Sequence, residues 1–283
     1  MDKVIITNAI SGAIANRAQC AAIPYTPEEY AAEAKRAYEA GASVVHIHAR
    51  EDDGSPSLMV ERFKVISEAI RAACPILLNF STGAIGVPMA ERVAHIVELK
   101  PHIGALNMGS LTYAKYSPKR KNFVFDFVFQ NPFSDIIYLI ERMNEAGVKP
   151  ELECFDIGHT ASADPLLDMG VLKGPLDFSF IMGVDGGLPA TARHLEFQAS
   201  HMRPGWTWKV IGISRDTWML VSAALALGGH VRVGLEDNFY LPNGKMVQSN
   251  GDLVAHAARM ARDMGREVAS VDEARVMLGI GRA

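Results

Sequence analysis

The sequence predicts an α/β protein, a single (β/α)8 TIM barrel over residues 1–283 with a C-terminal helical extension. Three observations lead there. Apolar runs of strand length alternate eight times with helix-length segments, over about the 250 residues that such a barrel needs. The turn after the first run, Ala9-Ile10-Ser11-Gly12-Ala13, lacks the G-x-G-x-x-G of a doubly wound dinucleotide fold. No linker, low-complexity tract or repeat beyond the strand–helix unit divides the chain.

Taken in order, Val4–Thr7 is the first strand, followed by a small-residue loop from Asn8 to Gly12. Thr26-Pro27-Glu28-Glu29 starts a helix: Thr26 caps it, Pro27 sits where no N–H is needed, and the acids favour the positive helix end. That helix, Glu28–Ala40, stops at Gly41. The next strand runs from Val44 to Arg50, bounded by Gly41 and the Asp52-Asp53-Gly54 turn. Helix Leu58–Ala72, strand Pro75–Phe80, helix Met89–Leu99 and strand Ile103–Asn107 follow. The stretch Tyr113–Asn131 reads as a long loop. Pro132-Phe133-Ser134-Asp135 opens a helix to Ala146, ended by Gly147. Glu151–Asp156, Leu176–Met182, Trp206–Ile211 and His230–Val233 are the remaining strands. Helices are expected over Ala163–Gly170, Thr191–Met202, Asp216–Leu227, Asn250–Gly265 and Ser270–Leu278.

Composition narrows the function. A net charge of -4 gives no support to nucleic-acid binding, and Lys119-Arg120-Lys121, the longest basic cluster, reads as a solvated loop that could meet a phosphate. No apolar run approaches the roughly 20 residues that span a bilayer. The start Met1-Asp2-Lys3-Val4-Ile5-Ile6 is too poor in apolar residues for a signal peptide. Cys20, Cys74 and Cys154 are widely spaced and form no C-x-x-C, so a disulfide framework is not expected and a reducing cytoplasm is.

The chemistry centres on Val44-Val45-His46-Ile47-His48-Ala49-Arg50. Strand side chains alternate faces, so His46 and His48 point the same way, about 7 Å apart along the chain. Two imidazoles so placed can grip one divalent metal, with Zn²⁺–N bonds of about 2.0–2.1 Å; a pair of hydrogen-bonded core histidines is the plainer alternative. In a barrel the residues just after each strand line one mouth. Here they are Asn8, His46, His48, Asn79, Ser81, Thr82, Asn107, Glu153, Asp156 with His159, Asp185, Ser214, Arg215, Arg232, Glu236, Asp237 and Asn238. The last strand runs straight into Glu236-Asp237-Asn238, so Glu236 is placed to complete a metal site that leaves room for substrate or water. Asp237 can then serve as general base, with Arg232 lowering its pKa and holding it ionised; the same three residues could instead cap a helix or shape a turn. Ser81-Thr82-Gly83 offers two hydroxyls and backbone N–H groups suited to a carboxylate, though such a tripeptide is also an ordinary turn. A serine hydrolase is disfavoured because no G-x-S-x-G is present, and Cys154 lies in an apolar strand.

Several segments together resemble the β-keto acid cleavage enzyme family. They are Thr7-Asn8-Ala9-Ile10-Ser11-Gly12-Ala13, Tyr25-Thr26-Pro27-Glu28-Glu29, Ala40-Gly41-Ala42 and His46-Ile47-His48-Ala49-Arg50-Glu51-Asp52-Asp53-Gly54. Ser81-Thr82-Gly83, Leu106-Asn107-Met108-Gly109-Ser110, Pro150-Glu151-Leu152-Glu153-Cys154-Phe155-Asp156 and Gly229-His230-Val231-Arg232-Val233-Gly234-Leu235-Glu236-Asp237-Asn238 continue the match in order, from end to end. The resemblance implies a (β/α)8 barrel carrying Zn²⁺ or a similar divalent ion on His46, His48 and Glu236. It implies a retro-Claisen exchange of a β-keto acid with acetyl-CoA, giving acetoacetate and a new acyl-CoA. In it the metal polarises the keto group, Ser81 helps bind the carboxylate, and Asp237, paired with Arg232, removes the proton. Glu153 matches an acidic residue of the family's site. Thr82, Gly83, Asn107 and Ile14 are the further expected substrate contacts, and a homotetramer is usual in the family.

Two positions depart from the family pattern. In the branch that takes 3-keto-5-aminohexanoate, an acidic residue stands at the position of Ile14, where it would meet the ammonium. Isoleucine cannot pair with a cation, so an uncharged or apolar β-keto acid is expected. Ala105 stands where some members place a hydroxyl that helps bind the carboxylate. A metal-dependent aldolase or hydrolase on the same barrel is the main rival, and a non-catalytic binding protein with a vestigial site is a second.

Overall fold

The computed structural model describes residues 3–281 of the chain. The first two residues of the N-terminal segment, Met1 and Asp2, and the last two, Arg282 and Ala283, lie outside the described residues. In chain order the first half comprises β1 (Ile6–Ala9), α1 (Pro27–Ala40), β2 (Val44–Ile47), β3 (Ala49–Arg50), β4 (Pro56–Ser57), α2 (Val60–Ala73), β5 (Leu77–Ser81), α3 (Met89–Leu99), β6 (Ile103–Asn107), β7 (Leu111–Ser117) and β8 (Asn122–Phe129). The second half comprises α4 (Phe133–Ala146), β9 (Lys149–Cys154), α5 (Ile157–Ala161), α6 (Ala163–Asp168), β10 (Asp177–Met182), α7 (Ala192–Ala199), β11 (Thr207–Gly212), α8 (Thr217–Ala226), β12 (His230–Val233), α9 (Asn250–Asp263) and α10 (Val271–Met277).

Eight strands close a barrel in the order β1-β2-β5-β6-β9-β10-β11-β12, with β12 returning to β1. Every barrel pairing is parallel. Parallel neighbours need long crossovers, which the helices supply on the outside. The first helix shows how directly residues dictate this. Thr26 and Glu29 form a reciprocal capping box, Pro27 opens the helix, and Gly41 ends it at φ 118°, a left-handed value that costs glycine nothing.

The barrel interior has three levels. At the floor Ile5, Val44, Leu77 and Ile103 pack against Ala269, Ala274 and Leu278, so the C-terminal segment with α10 plugs the N-terminal ends of the strands. Above them lies a polar level, in which Lys209 Nζ reaches Asp177 Oδ2 at 2.8 Å and Glu151 Oε2 at 3.1 Å, all buried. The mouth comes last, roofed on one side by Leu111, Phe129, Phe155, Ile181, Val184 and Ile211.

The barrel agrees with expectation, and the main correction lies between β6 and α4. The stretch read as a loop, Tyr113–Asn131, contains an antiparallel hairpin of β7 and β8 with Lys119-Arg120-Lys121 at its tip. The cause is visible in Phe123, Phe125, Phe127 and Phe129, which alternate with Val124, Asp126 and Val128 in a pattern suited to a pleated, half-buried strand. Smaller differences fall at element ends. The first strand begins at Ile6 rather than Val4 and extends to Ala9; the helix expected over Ala163–Gly170 stops at Asp168; and an extra turn, α5, precedes it, capped by Asp156.

Candidate active site

β2 delivers His46, and His48 follows it directly. Their Nε2 atoms both face the Glu236 carboxylate, His46 at 3.7 Å from Oε2 and His48 at 3.5 Å from Oε1. The three ligand atoms lie within 4.8 Å of one another. These separations are long for hydrogen bonds and are those of groups that can close on one ion. Glu236 Oε2 is buried without a hydrogen-bond partner, and burial lowers the His46 pKa to about 3, keeping that imidazole neutral as a ligand must be. Nitrogen, nitrogen and carboxylate with a free side match a catalytic rather than a structural zinc set, so the residues present fit a divalent metal.

Arg232, on β12, is the hub beside it. Its Nε and Nη2 bond both oxygens of Asp237 at 3.0 and 2.9 Å, Nη2 also reaches Glu236 Oε1 at 2.6 Å, and Nη1 lies 3.5 Å from Glu153 Oε1. The sequence reading has Arg232 lowering the Asp237 pKa. Burial instead wins, raising it to about 6 against the pull of Arg232, with the neighbouring Glu236 charge adding to the rise. Glu236 goes the other way: burial opposes its ionisation, but Arg232 first, and His48 after it, hold it well below the usual carboxylate range. Burial pushes Glu153 up to about 8, so it keeps its proton at neutral pH.

The surroundings show why these side chains stand still. Beyond β12 the chain turns at Gly234, where a Cβ would fall 2.1 Å from the Ala9 carbonyl oxygen; only glycine lets the strand end press so closely on β1. Gly12, at φ 63°, likewise lies against the Glu236 side chain, with a Cβ position 2.7 Å from its Cγ. Arg50, read from sequence only as part of a motif, is a fully buried clamp. Its guanidinium donates to the carbonyls of Gly12, Gly54, Ser11 and Ala15 and so holds the loop after β1. That loop presents Ile14, which is 61% exposed. His48 is held through its own carbonyl, which accepts from Ser11 Oγ at 2.9 Å and from Tyr30 Oη at 2.6 Å.

Of the other expected contacts, Gly83 lies between Ser81 and His48: a Cβ on it would lie 3.3 Å from Ser81 Oγ and 3.7 Å from His48 Cε1. Ser81 Oγ already accepts the Gly83 N–H at 3.0 Å. The Thr82 hydroxyl turns away, donating to the Ala105 carbonyl at 2.7 Å, and the Asn107 carbonyl accepts from Asn131. Asn107 lies in register with Glu153 on the neighbouring strand.

Several residues of the expected polar ring serve the scaffold. Asn8 bonds Val233 and Asn250 outside the barrel, and Asp156 caps α5. His159 contacts Ser110 and fills the space a Cβ on Gly109 would need, while Arg215 covers the Tyr240 ring. Tyr113 escaped the sequence reading altogether. It sits on the hairpin, stacked on Phe125 and Phe127, and burial together with the charges of Glu236, Asp237 and Glu153 raises its phenol to about 12. The signal that could have found it is the period-two aromatic pattern of the hairpin. Glu151, Asp177 and Lys209 were also missed, because they lie within or at the start of apolar strands and only barrel closure brings them together.

A parallel barrel with a His-His-Glu set able to hold a metal ion and a buried acid–arginine pair at the C-terminal ends of its strands defines a barrel enzyme with its site at that mouth. More narrowly, the chain belongs to the beta-keto acid cleavage enzyme family, which it matches over residues 3–280. It is similar to a 3-keto-5-aminohexanoate cleavage enzyme of Fusobacterium nucleatum, with 41% identity over 99% of both chains. It is 34% identical to a 3-oxoadipate:acetyl-CoA acetyltransferase of Cupriavidus necator, over 98% of this chain and 94% of that one. Among solved structures, the apo structure of ObcA superposes with a TM-score of 0.75 at 20% identity over 92% of this chain, which spans 66% of the ObcA chain; the likeness shows the fold. Among the described residues no helix is long and apolar enough to cross a membrane.

Proposed function

We propose that this enzyme exchanges an uncharged or apolar β-keto acid with acetyl-CoA, releasing acetoacetate and the acyl-CoA of the remaining fragment. The observation that carries the reading is the meeting of His46, His48 and Glu236 with an Asp237 that Arg232 holds at both oxygens. His46, His48 and Glu236 would hold Zn²⁺ or another divalent ion, a Lewis acid that offers several kcal/mol of stabilisation to charge developing on a keto oxygen. Asp237 takes the proton between the keto and carboxylate groups, Arg232 keeps its carboxylate aimed, and Ser81 with the Gly83 region receives the substrate carboxylate. The carbanion attacks the acetyl carbonyl and expels CoA thiolate. The thiolate then adds to the original keto carbon, the bond between that carbon and the former carbanion carbon breaks, and Asp237 returns its proton to the acetoacetate fragment. Glu153, protonated at neutral pH, can donate a hydrogen bond in this site.

Ile14 supports the substrate class. It is the exposed side chain of the loop that Arg50 ties down beside Glu236, and it offers no charge to an ammonium group. A cytoplasmic setting fits three free, buried cysteines, and the homotetramer rests on the family resemblance.

The test is turnover of a small panel of β-keto acids by the zinc-loaded enzyme with acetyl-CoA, with acyl-CoA products read by mass spectrometry. Neutral acids are expected to outrun 3-keto-5-aminohexanoate, and Ile14→Glu to shift preference toward the amino acid. The reverse ranking sinks the substrate class. Splitting without acetyl-CoA would make the enzyme an aldolase. His46→Ala is expected to lose both stoichiometric metal and turnover.

A further inference from the structure

We propose that Asn79 is a positioning residue for the metal centre, its amide oxygen taking the Nδ1 proton of His46 and thereby aiming Nε2 of that ring at the ion. The inference rests on the His46/His48/Glu236 site proposed above. Its starting point is a pair of buried polar atoms without hydrogen-bond partners on neighbouring strands, His46 Nδ1 and Asn79 Oδ1. Both residues are enclosed. They are also register partners, His46 on β2 opposite Asn79 on β5, so their side chains share a face with backbones roughly 5 Å apart.

The amide has one orientation open to it. Asn79 Nδ2 donates to Glu151 Oε2 on β9, which lies on the opposite side of β5 from β2 in the strand order β2-β5-β6-β9. An amide is planar and its two ends diverge, so giving the nitrogen to the β9 side turns the oxygen to the β2 side. Reversing it would set oxygen against oxygen at Glu151. That carboxyl is itself fixed, accepting from Ser179 Oγ at 2.6 Å and lying 3.1 Å from Lys209 Nζ, which also bonds Asp177 at 2.8 Å.

Chemistry supplies the other half. Nε2 of His46 faces Glu236, so an ion there takes the Nε2 lone pair and the ring proton must sit on Nδ1. A buried N–H needs an acceptor, and a ligating histidine is commonly oriented by one. The main-chain carbonyls of both histidines accept hydrogen bonds, His48 from Ser11 and Tyr30 and His46 from the Ile10 N–H at 3.1 Å, but Nδ1 of the His46 ring is buried with none. The polar middle level of the barrel thus supports the mouth by a chain of contacts running Lys209, Glu151, Asn79, His46.

The test measures Zn²⁺ affinity by competition with a chromophoric chelator. Asn79→Leu keeps the branching of the side chain and removes both the acceptor and the donor to Glu151, and its affinity is expected to fall about 10- to 100-fold. In the zinc-loaded wild type labelled with ¹⁵N-histidine, a downfield Nδ1–H resonance from His46 is expected, and it should vanish in Asn79→Leu. A folded Asn79→Leu that binds zinc like the wild type overturns the proposal. So does a zinc-loaded wild type without that resonance, which decides the matter even where Asn79→Leu fails to fold. A wild type that takes up no stoichiometric zinc would instead remove the metal site itself.

Discussion

The same eight strands end in opposite ways. At their N-terminal ends they present Ile5, Val44, Leu77 and Ile103, which the C-terminal segment seals with Ala269, Ala274 and Leu278. At their C-terminal ends they present two histidines, an arginine and three acids, half of them buried and the rest half-buried against one another. The floor gains stability simply by removing apolar surface from water. The mouth does the reverse, enclosing charges that cost free energy unless paired, as Asp237 and Glu153 show by their raised pKa values. A barrel can carry such a mouth because the polar level below it is buried and paired and the floor is closed.

Substitutions at the two ends should therefore separate turnover from stability. The largest effect is expected from Asp237→Asn, which removes the proposed base but not the metal ligands. Turnover should fall by about 10² to 10⁴ while zinc content, read by atomic emission, stays stoichiometric; a variant retaining most of its rate would remove Asp237 from the base role. At the floor, Leu77→Ala should lower unfolding free energy by about 2–5 kcal/mol in denaturant titrations and leave kcat per folded molecule unchanged. A fall in kcat matching the loss of stability would show that the floor communicates with the mouth.

The subtlest effect concerns Glu153. Its pKa is about 8 in the fold against 4.5 when free, so between those values the unfolded chain releases a proton that the folded chain keeps. Its contribution to stability is complete below pH 4.5 and is lost as pH rises through about 8. In Glu153→Gln that slope should flatten, so melting of the metal-free variant should gain on the wild type from pH 5 to pH 8. Parallel curves would mean that Glu153 ionises freely.

Much of this was legible in the residues alone. Alternating apolar runs specify strands and helices, Thr26 and Gly41 mark helix ends, and H-x-H followed much later by Glu236-Asp237 points to the proposed ligand set and base. The hairpin was not legible as such, because its strands bury one face against Phe155 and the barrel mouth, a partner that is distant in sequence. Thr82 and Asp156 looked like site residues because a hydroxyl or a carboxylate after a strand serves a substrate or a backbone N–H equally well.

The sequence by itself determined the barrel and the types of group at its mouth, since periodicity and strand-end position are local properties of the chain. Only the tertiary structure decided that Arg50 ties a loop, that Arg232 holds both Asp237 oxygens yet leaves its pKa raised, and that Asn79 stands between Glu151 and His46. Those outcomes depend on burial and on which strands lie side by side, and both arise only when the barrel closes.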